Sequence, residues 1–174
     1  GDLEPPRGAG VLDRLGLEPG GYVLYVSRFE PENNPDRVVE AYARVEGERR
    51  LVMVGGAPYA DRLTRRVRDL ADPRVVLPGP VYGDGYRQLL FNCRLYIHAT
   101  EVGGTHPALV EAMGAGRPVL YYDTPENREV CGGVERQRNH AESDQGEPQA
   151  VREAASADVP PRRPPERRHR EQSK

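Results

Sequence analysis

Short apolar runs alternate with amphipathic segments through the first 133 residues of this 174-residue chain. The apolar runs are rich in β-branched and aromatic side chains and are bounded by glycine and proline, which is typical of buried strands. Because a helical segment separates each strand from the next, the strands must be parallel and connected by right-handed crossovers. The pattern therefore predicts a doubly wound, Rossmann-like α/β domain of about five or more strands. The predicted strands are 22–27, 51–54, 74–77, 95–98 and 118–122.

The helices are predicted from spacing and from their start signals. Asn34 followed by Pro35 is a helix N-cap with proline at the first helical position. Apolar residues then recur at helical spacing up to Val45. A strongly basic amphipathic helix is expected over 59–71, and further helices are expected over 86–92 and 106–115.

The expected order of the strands locates a binding site. The commonest order for a nucleotide-binding sheet of this kind is 3-2-1-4-5, which makes strands one and four neighbours. Ligands bind outside the carboxyl ends of the strands at this switch point. The site is therefore expected in the loops 27–34 and 99–105.

Composition excludes several classes of function. The 25 Lys and Arg nearly balance the 27 Asp and Glu, so no whole-chain charge favours nucleic acid or an anionic membrane surface. Two distant cysteines fit a reducing compartment and neither a disulfide scaffold nor a zinc knuckle. No metal-ligand cluster is visible, and no apolar run approaches the roughly 20 residues of a membrane span. The expected location is the cytoplasm, with the inner face of the membrane as an alternative.

The chain divides into three predicted segments. Residues 1–19 form a lead-in, residues 20–133 form the α/β domain, and residues 134–174 form a polar tail. The tail contains no Leu, Ile, Met, Phe or Tyr and is rich in Arg, Glu and Pro. Such a segment buries too little apolar surface to offset its ordering entropy, so it is predicted to be disordered.

The loop after strand four carries the strongest candidate for a binding site. Gly103 and Gly104 precede Thr105, a candidate N-cap, and His106 at the start of the next helix. Glycines at a helix start let the backbone approach a ligand closely, and the helix dipole favours an anion such as phosphate. A plain turn is the alternative interpretation of this pair of glycines.

Two charged residues strengthen the candidate site. Glu111 lies in the second turn of the helix that follows the glycines, and its side chain leans back toward the helix start. Arg28 follows strand one, and its guanidinium can bind a diphosphate bidentately. The alternatives are an exposed helix glutamate and a surface arginine paired with Glu30 or Glu32.

The residues 101–119 resemble the signature of family 4 retaining glycosyltransferases of the GT-B fold. In this sequence the signature reads Glu-Val-Gly-Gly-Thr-His-Pro-Ala-Leu-Val-Glu-Ala-Met-Gly-Ala-Gly-Arg-Pro-Val. The segment 27–34, Ser-Arg-Phe-Glu-Pro-Glu-Asn-Asn, resembles the Gly-Arg-x-x-x-x-Lys loop of the same family. The amino-acid sequences of both segments are most similar to those of a rhamnosyltransferase-like bacterial branch of this family. The resemblance covers roughly residues 20–133 and identifies them with the C-terminal, donor-binding domain.

The resemblance implies roles for individual residues. Glu111 would bind the ribose of the nucleotide, Arg28 would bind the diphosphate, and these two are the catalytic candidates. Two positions depart from the family pattern: Asn33 replaces a lysine, and Gly103 replaces a glutamate that contacts the donor sugar, with Glu101 two residues earlier as a substitute. The full set of donor-binding candidates is Ser27, Arg28, Asn33, Gly55, Gly56, Glu101, Gly103, Gly104, Thr105, His106 and Glu111.

The implied function is transfer of a glycosyl group from a nucleoside-diphosphate sugar to a glycan or lipid-linked acceptor, as in polysaccharide biosynthesis. Neither a metal nor a cofactor is expected, because the nucleotide sugar is itself the substrate. The acceptor would be bound through an N-terminal domain, so this chain alone is expected to bind donor and to transfer nothing. The alternatives are a non-catalytic nucleotide- or phosphate-binding module and a domain like that of a sugar-nucleotide epimerase.

Overall fold

The computed structural model describes residues 4–6, 8–56, 61–103 and 106–132. They form one parallel sheet in the order β3-β2-β1-β4-β5, which confirms the predicted α/β class and strand order. The strands are β1 (Tyr22–Arg28), β2 (Arg50–Gly56), β3 (Val75–Gly79), β4 (Leu95–His98) and β5 (Val119–Tyr121). The α-helices are α1 (Gly10–Leu15), α2 (Pro35–Tyr42), α3 (Asp61–Leu70), α4 (Gly83–Asn92), α5 (Pro107–Gly114) and α6 (Pro125–Val130), and a 3-10 turn spans Pro31–Asn33.

The side chains of β1 alternate between two apolar cores, one on each face of the sheet. Tyr22 and Leu24 belong to the core that includes residues of α1, α4 and α5. Val23 and Tyr25 belong to the core that includes residues of α2 and α3. All four side chains are almost completely buried, as expected for a central strand covered by helices on both faces.

Two helices were not predicted from the sequence. Helix α1 lies within the lead-in expected for residues 1–19, and its Val11 and Leu12 are part of a core cluster. Its six residues are too few to show a helical period clearly. Helix α6 begins with Thr124 as N-cap, whose hydroxyl accepts a hydrogen bond from the Asn127 backbone N–H, and Pro125 is at its first position. This Thr-Pro start was available in the sequence, so α6 could have been predicted from it.

The glycines expected to stop the second strand instead continue it. Gly55 and Gly56 pair with Ser27 and Arg28, so β1 and β2 stay in register up to their carboxyl ends. A Cβ atom placed on Gly55 would lie 1.8 Å from the carbonyl oxygen of Ser27, and the φ angle of Gly55 is 145°. Only glycine allows this close approach, which fixes where the loop after β1 begins.

The tail predicted for residues 134–174 and the first two residues of the predicted helix 59–71 lie outside the described residues. Within the part of the chain that the structure describes, no helix has the length and apolar character needed to cross a membrane.

Candidate functional site

Strands β1 and β4 are hydrogen-bonded neighbours, so their carboxyl ends meet at one edge of the sheet. The loop after β1 includes the 3-10 turn and leads to α2, and the loop after β4 leads to α5. The two loops also contact each other directly, because the backbone N–H of Glu101 donates to the carbonyl of Glu32 at 2.9 Å. The loops predicted to form the site are therefore adjacent.

Asn33 connects these two loops through both ends of its side-chain amide. Its Nδ2 donates to the carbonyl of Arg28 at 2.9 Å, and its Oδ1 accepts from the hydroxyl of Thr100 at 2.9 Å. The phenol of Tyr25 donates to the backbone carbonyl of Asn33 at 2.8 Å. Asn33 is buried, and its amide serves the loops themselves. The donor contact expected at this position stays a prediction.

Asn34 has a comparable role one residue later. It has a left-handed backbone with φ of 52° and is the N-cap of α2, as predicted. Its side chain makes no capping bond, however, because Nδ2 donates to the carbonyl of Ala99 at 2.9 Å and to Oε1 of Glu101 at 3.0 Å. The asparagine amide therefore joins the start of α2 to the loop after β4.

Asn127 extends the connection to the loop after β5. Its Nδ2 donates to the carbonyls of Thr100 and Tyr122 at 3.0 and 2.8 Å. We call Asn33, Asn34, Thr100 and Asn127 the asparagine network; all four residues are buried. Asn34 and Thr100 lie in the loops expected to form the site but were not among its named candidate residues, and Asn127 lies outside those loops. Tertiary contacts give these three polar residues their role.

Arg28 lies at the end of β1 with 76% of its side chain exposed. Its guanidinium forms an ion pair with Glu30 at 3.1 Å, which is one of the two alternatives considered for it. An exposed pair of this kind contributes little to stability and is readily exchanged for another anion. The guanidinium of Arg28 is therefore accessible to solvent at this edge of the sheet, and its contact with a diphosphate stays a prediction.

Glu101 is held by two neighbours. Its Oε1 accepts from Asn34 and from the guanidinium of Arg37 at 3.2 Å, and its side chain is 35% exposed. These contacts tie the carboxylate to the start of α2. Its expected role as a substitute contact to the donor sugar stays a prediction.

Gly103 and His106 are in close contact where the loop enters α5. Gly103 has a φ of 130°, and a Cβ atom there would lie 3.0 Å from two atoms of the His106 imidazole. The ring of His106 therefore occupies the space that a larger residue at position 103 would need. The N-cap of α5 is His106, and not Thr105 as predicted; Thr105 and Gly104 lie outside the described residues.

His98, the last residue of β4, packs against His106 with ring centroids 4.8 Å apart. Burial and the proximity of His106 lower the pKa of His98 to about 4, and a hydrogen bond with the Asn127 side chain opposes this shift. His98 is therefore neutral at physiological pH. Its Nε2 is buried and has no hydrogen-bond partner among the described residues.

Glu111 lies on α5, where its side chain is partly buried. Its Oε2 accepts a hydrogen bond from the phenol of Tyr86 on α4 at 2.6 Å. Glu111 was a candidate from the sequence but Tyr86 was not, because the proximity of the two residues depends on how α4 and α5 pack on the sheet. Among the described residues, no group of three or more His, Cys, Asp and Glu side chains is arranged to hold a metal ion.

The fold and the position of the site define a doubly wound α/β domain with loops at its switch point that are suited to nucleotide binding. The family model described as "Glycosyl transferases group 1" matches residues 20–157. The chain therefore belongs to the group 1 glycosyltransferase family, and its domain is of the C-terminal GT-B type. The match continues beyond residue 133, where the predicted α/β segment ends.

Solved glycosyltransferase structures share this fold. HepE from Anabaena, in complex with UDP-glucose, aligns with a TM-score of 0.63 and 23% identity over 82% of this chain and 40% of its own. AviGT4, which is involved in avilamycin A biosynthesis, aligns with a TM-score of 0.55 and 23% identity. The alignment covers 78% of this chain and 42% of AviGT4. The catalytic domain of the cholesterol-α-glucosyltransferase of Helicobacter pylori aligns with a TM-score of 0.51 and 22% identity. The alignment covers 60% of this chain and 67% of that domain. This chain thus spans about 40% of the length of HepE. No curated protein sequence matches it.

Proposed function

We propose that this domain binds the nucleoside-diphosphate sugar donor of a glycosyltransferase at the carboxyl ends of β1 and β4. The observation that carries the proposal is the pairing of β1 with β4, which brings Arg28 and the loop leading into α5 to one edge of the sheet. Membership of the glycosyltransferase family favours this function over an epimerase-like domain. The complex of HepE with UDP-glucose supports the same class of ligand.

The proposed site has three parts with separate tasks. Arg28 binds the diphosphate, the start of α5 with Gly103, Gly104, Thr105 and His106 contributes helix-terminal N–H groups, and Glu111 binds the ribose. Ser27, Gly55 and Gly56 form the adjoining ends of β1 and β2. Residues 20–133 constitute the donor domain in this proposal, and helix α1 packs on its core.

In the proposed reaction the bond between the anomeric carbon and the diphosphate oxygen breaks, and the nucleoside diphosphate leaves. A hydroxyl oxygen of a glycan or lipid-linked acceptor bonds to the anomeric carbon and loses its proton. Arg28 and the helix start stabilise the charge that develops on the leaving diphosphate. The acceptor is bound by a second domain, so this domain alone binds donor without transferring sugar. The similarity of the loop sequences to the rhamnosyltransferase-like branch favours a dTDP-linked sugar.

Titration calorimetry of the full chain with dTDP, UDP and GDP tests the proposal. We expect one nucleotide to bind measurably, and Arg28→Ala and Glu111→Ala each to weaken it by about tenfold or more, which is the scale of one charge-assisted hydrogen bond. Arg44→Ala is the matched control, because Arg44 is exposed beyond the opposite end of α2. Absence of binding by all three nucleotides, or equal binding by all variants, contradicts the proposal. Preference for dTDP supports the rhamnosyl donor.

A further inference from the structure

Tyr86 contacts the carboxylate that we assign to the nucleoside. Its phenol donates to Oε2 of Glu111 at 2.6 Å, a short bond of the kind that an ionised acceptor makes. The ring packs against the core cluster shared by α1, α4 and α5. Burial, followed by the hydrogen bond to Glu111, raises the pKa of Tyr86 well above its ordinary value. The phenol therefore remains protonated and acts as a donor.

Helix α4 gives Tyr86 a fixed base. The side chain of Gln88 accepts from the backbone N–H of Val11 at 2.9 Å, and the phenol of Tyr22 donates to the carbonyl of Leu89 at 2.7 Å. Both contacts are buried and link α4 to other parts of the domain. The position of the Tyr86 hydroxyl is therefore set by the fold and not by a mobile loop.

A glutamate side chain has three torsions and loses conformational entropy when it is fixed. The bond from Tyr86 holds one carboxylate oxygen of Glu111 before any ligand arrives. Among the described residues no donor reaches the second oxygen, Oε1, which can accept a hydrogen bond from a sugar hydroxyl. Such preorganisation strengthens binding because the ordering cost is met in the free protein.

We propose that Tyr86 is a positioning residue that orients Glu111 toward the ribose of the bound nucleotide. This inference rests on the proposed function, since it needs a nucleotide at Glu111. It predicts a specific consequence: loss of the phenol weakens recognition of the nucleoside and leaves recognition of the diphosphate unchanged. A purely structural role for Tyr86 would affect both parts of the ligand equally.

The test is calorimetry of the full chain with two probes, the best-binding nucleoside diphosphate and inorganic pyrophosphate. We expect Tyr86→Phe to weaken the nucleotide by about three- to tenfold, the scale of one hydrogen bond, and to leave pyrophosphate unchanged. Tyr22→Phe is the matched control, because it removes a buried phenol hydrogen bond of similar length, 2.7 Å, to the backbone of the same helix. It should bind both probes like the wild type.

A double-mutant cycle of Tyr86 and Glu111 adds a second test, which compares nucleotide affinity among the two single variants and the double variant. If Tyr86 acts through Glu111, the variant carrying both Tyr86→Phe and Glu111→Ala binds nucleotide no more weakly than Glu111→Ala alone. Additive losses overturn the inference, as do wild-type affinity in Tyr86→Phe and equal losses for nucleotide and pyrophosphate. If the wild-type chain binds none of the nucleotides, the proposed function fails and the role of Tyr86 fails with it. If wild type binds and Glu111→Ala weakens it while Tyr86→Phe does not, only the role of Tyr86 fails.

Discussion

The asparagine network and Arg28 lie at the same edge of the sheet but use their hydrogen bonds in opposite ways. Asn33, Asn34 and Asn127 are buried, and their amides join the loops after β1, β4 and β5. The guanidinium of Arg28 is mostly exposed, and its ion pair within the described part of the chain is with the neighbouring Glu30. The difference separates support from recognition: replacing the network should cost folding free energy, whereas replacing Arg28 should cost binding.

The largest effect is expected where the loop geometry is set, at Gly55. A Cβ atom there would overlap the carbonyl oxygen of Ser27, so Gly55→Ala must separate β1 from β2 next to the network. We expect a loss of at least about 4 kcal/mol in the free energy of unfolding, or failure to fold, measured by urea denaturation. Gly47→Ala is the control, because Gly47 also has a positive φ but has no atom within 4 Å of the added Cβ. It should lose about 1–2 kcal/mol. Similar losses for both variants would contradict the close-approach argument.

The next effect tests the network itself. Asn33→Ala removes the donor to the Arg28 carbonyl and leaves the buried Thr100 hydroxyl without its acceptor. We expect the free energy of unfolding to fall by about 2–3 kcal/mol, because buried polar groups are left unpaired. Asn92→Ala, which removes one half-buried bond to Gln88 in α4, should cost about 1 kcal/mol. If Asn33→Ala costs no more than Asn92→Ala, the network is not a structural support.

A third effect follows from His98, which connects the network to the start of α5. Its pKa is about 4 in the folded protein and about 6.5 in the unfolded chain. Between these values the unfolded chain binds the extra proton, so stability falls as the pH falls. We expect His98 to account for a loss of about 2 kcal/mol between pH 7 and pH 5.

Denaturation of the wild type and of His98→Leu over this pH range measures the contribution. The wild type should lose stability more steeply than His98→Leu, since the variant lacks the titrating ring while all other groups are retained. Parallel pH profiles would show that His98 does not titrate as its burial implies.

The smallest effect on stability is expected at Arg28. The exposed ion pair with Glu30 contributes little, so Arg28→Ala should change the free energy of unfolding by less than about 0.5 kcal/mol. The same variant is expected to lose nucleotide affinity. A large loss of stability in this variant would show that Arg28 supports the fold as the asparagine network does. The distinction between support and recognition would then fail.

The sequence by itself determined the fold class and the strand order. Strands such as 22–27 are marked by continuous apolar runs, and parallel crossovers leave few ways to arrange five of them. It also determined which loops meet, because neighbouring parallel strands end at one edge of the sheet. Arg28 and Glu111 were identified as candidates in this way, and their roles remain to be tested.

Only the tertiary structure decided which polar residues hold the loops of the site together and which are exposed to solvent. The amide of Asn33 joins the end of β1 to Thr100 in the loop after β4, a contact that local sequence spacing does not reveal, and its contact with the donor stays a prediction. Tyr86 gave no local signal, since its partner Glu111 lies 25 residues away on another helix. The periodicity of apolar residues predicts the face of a helix or strand on which a residue lies. Its hydrogen-bond partner, however, is determined by long-range packing.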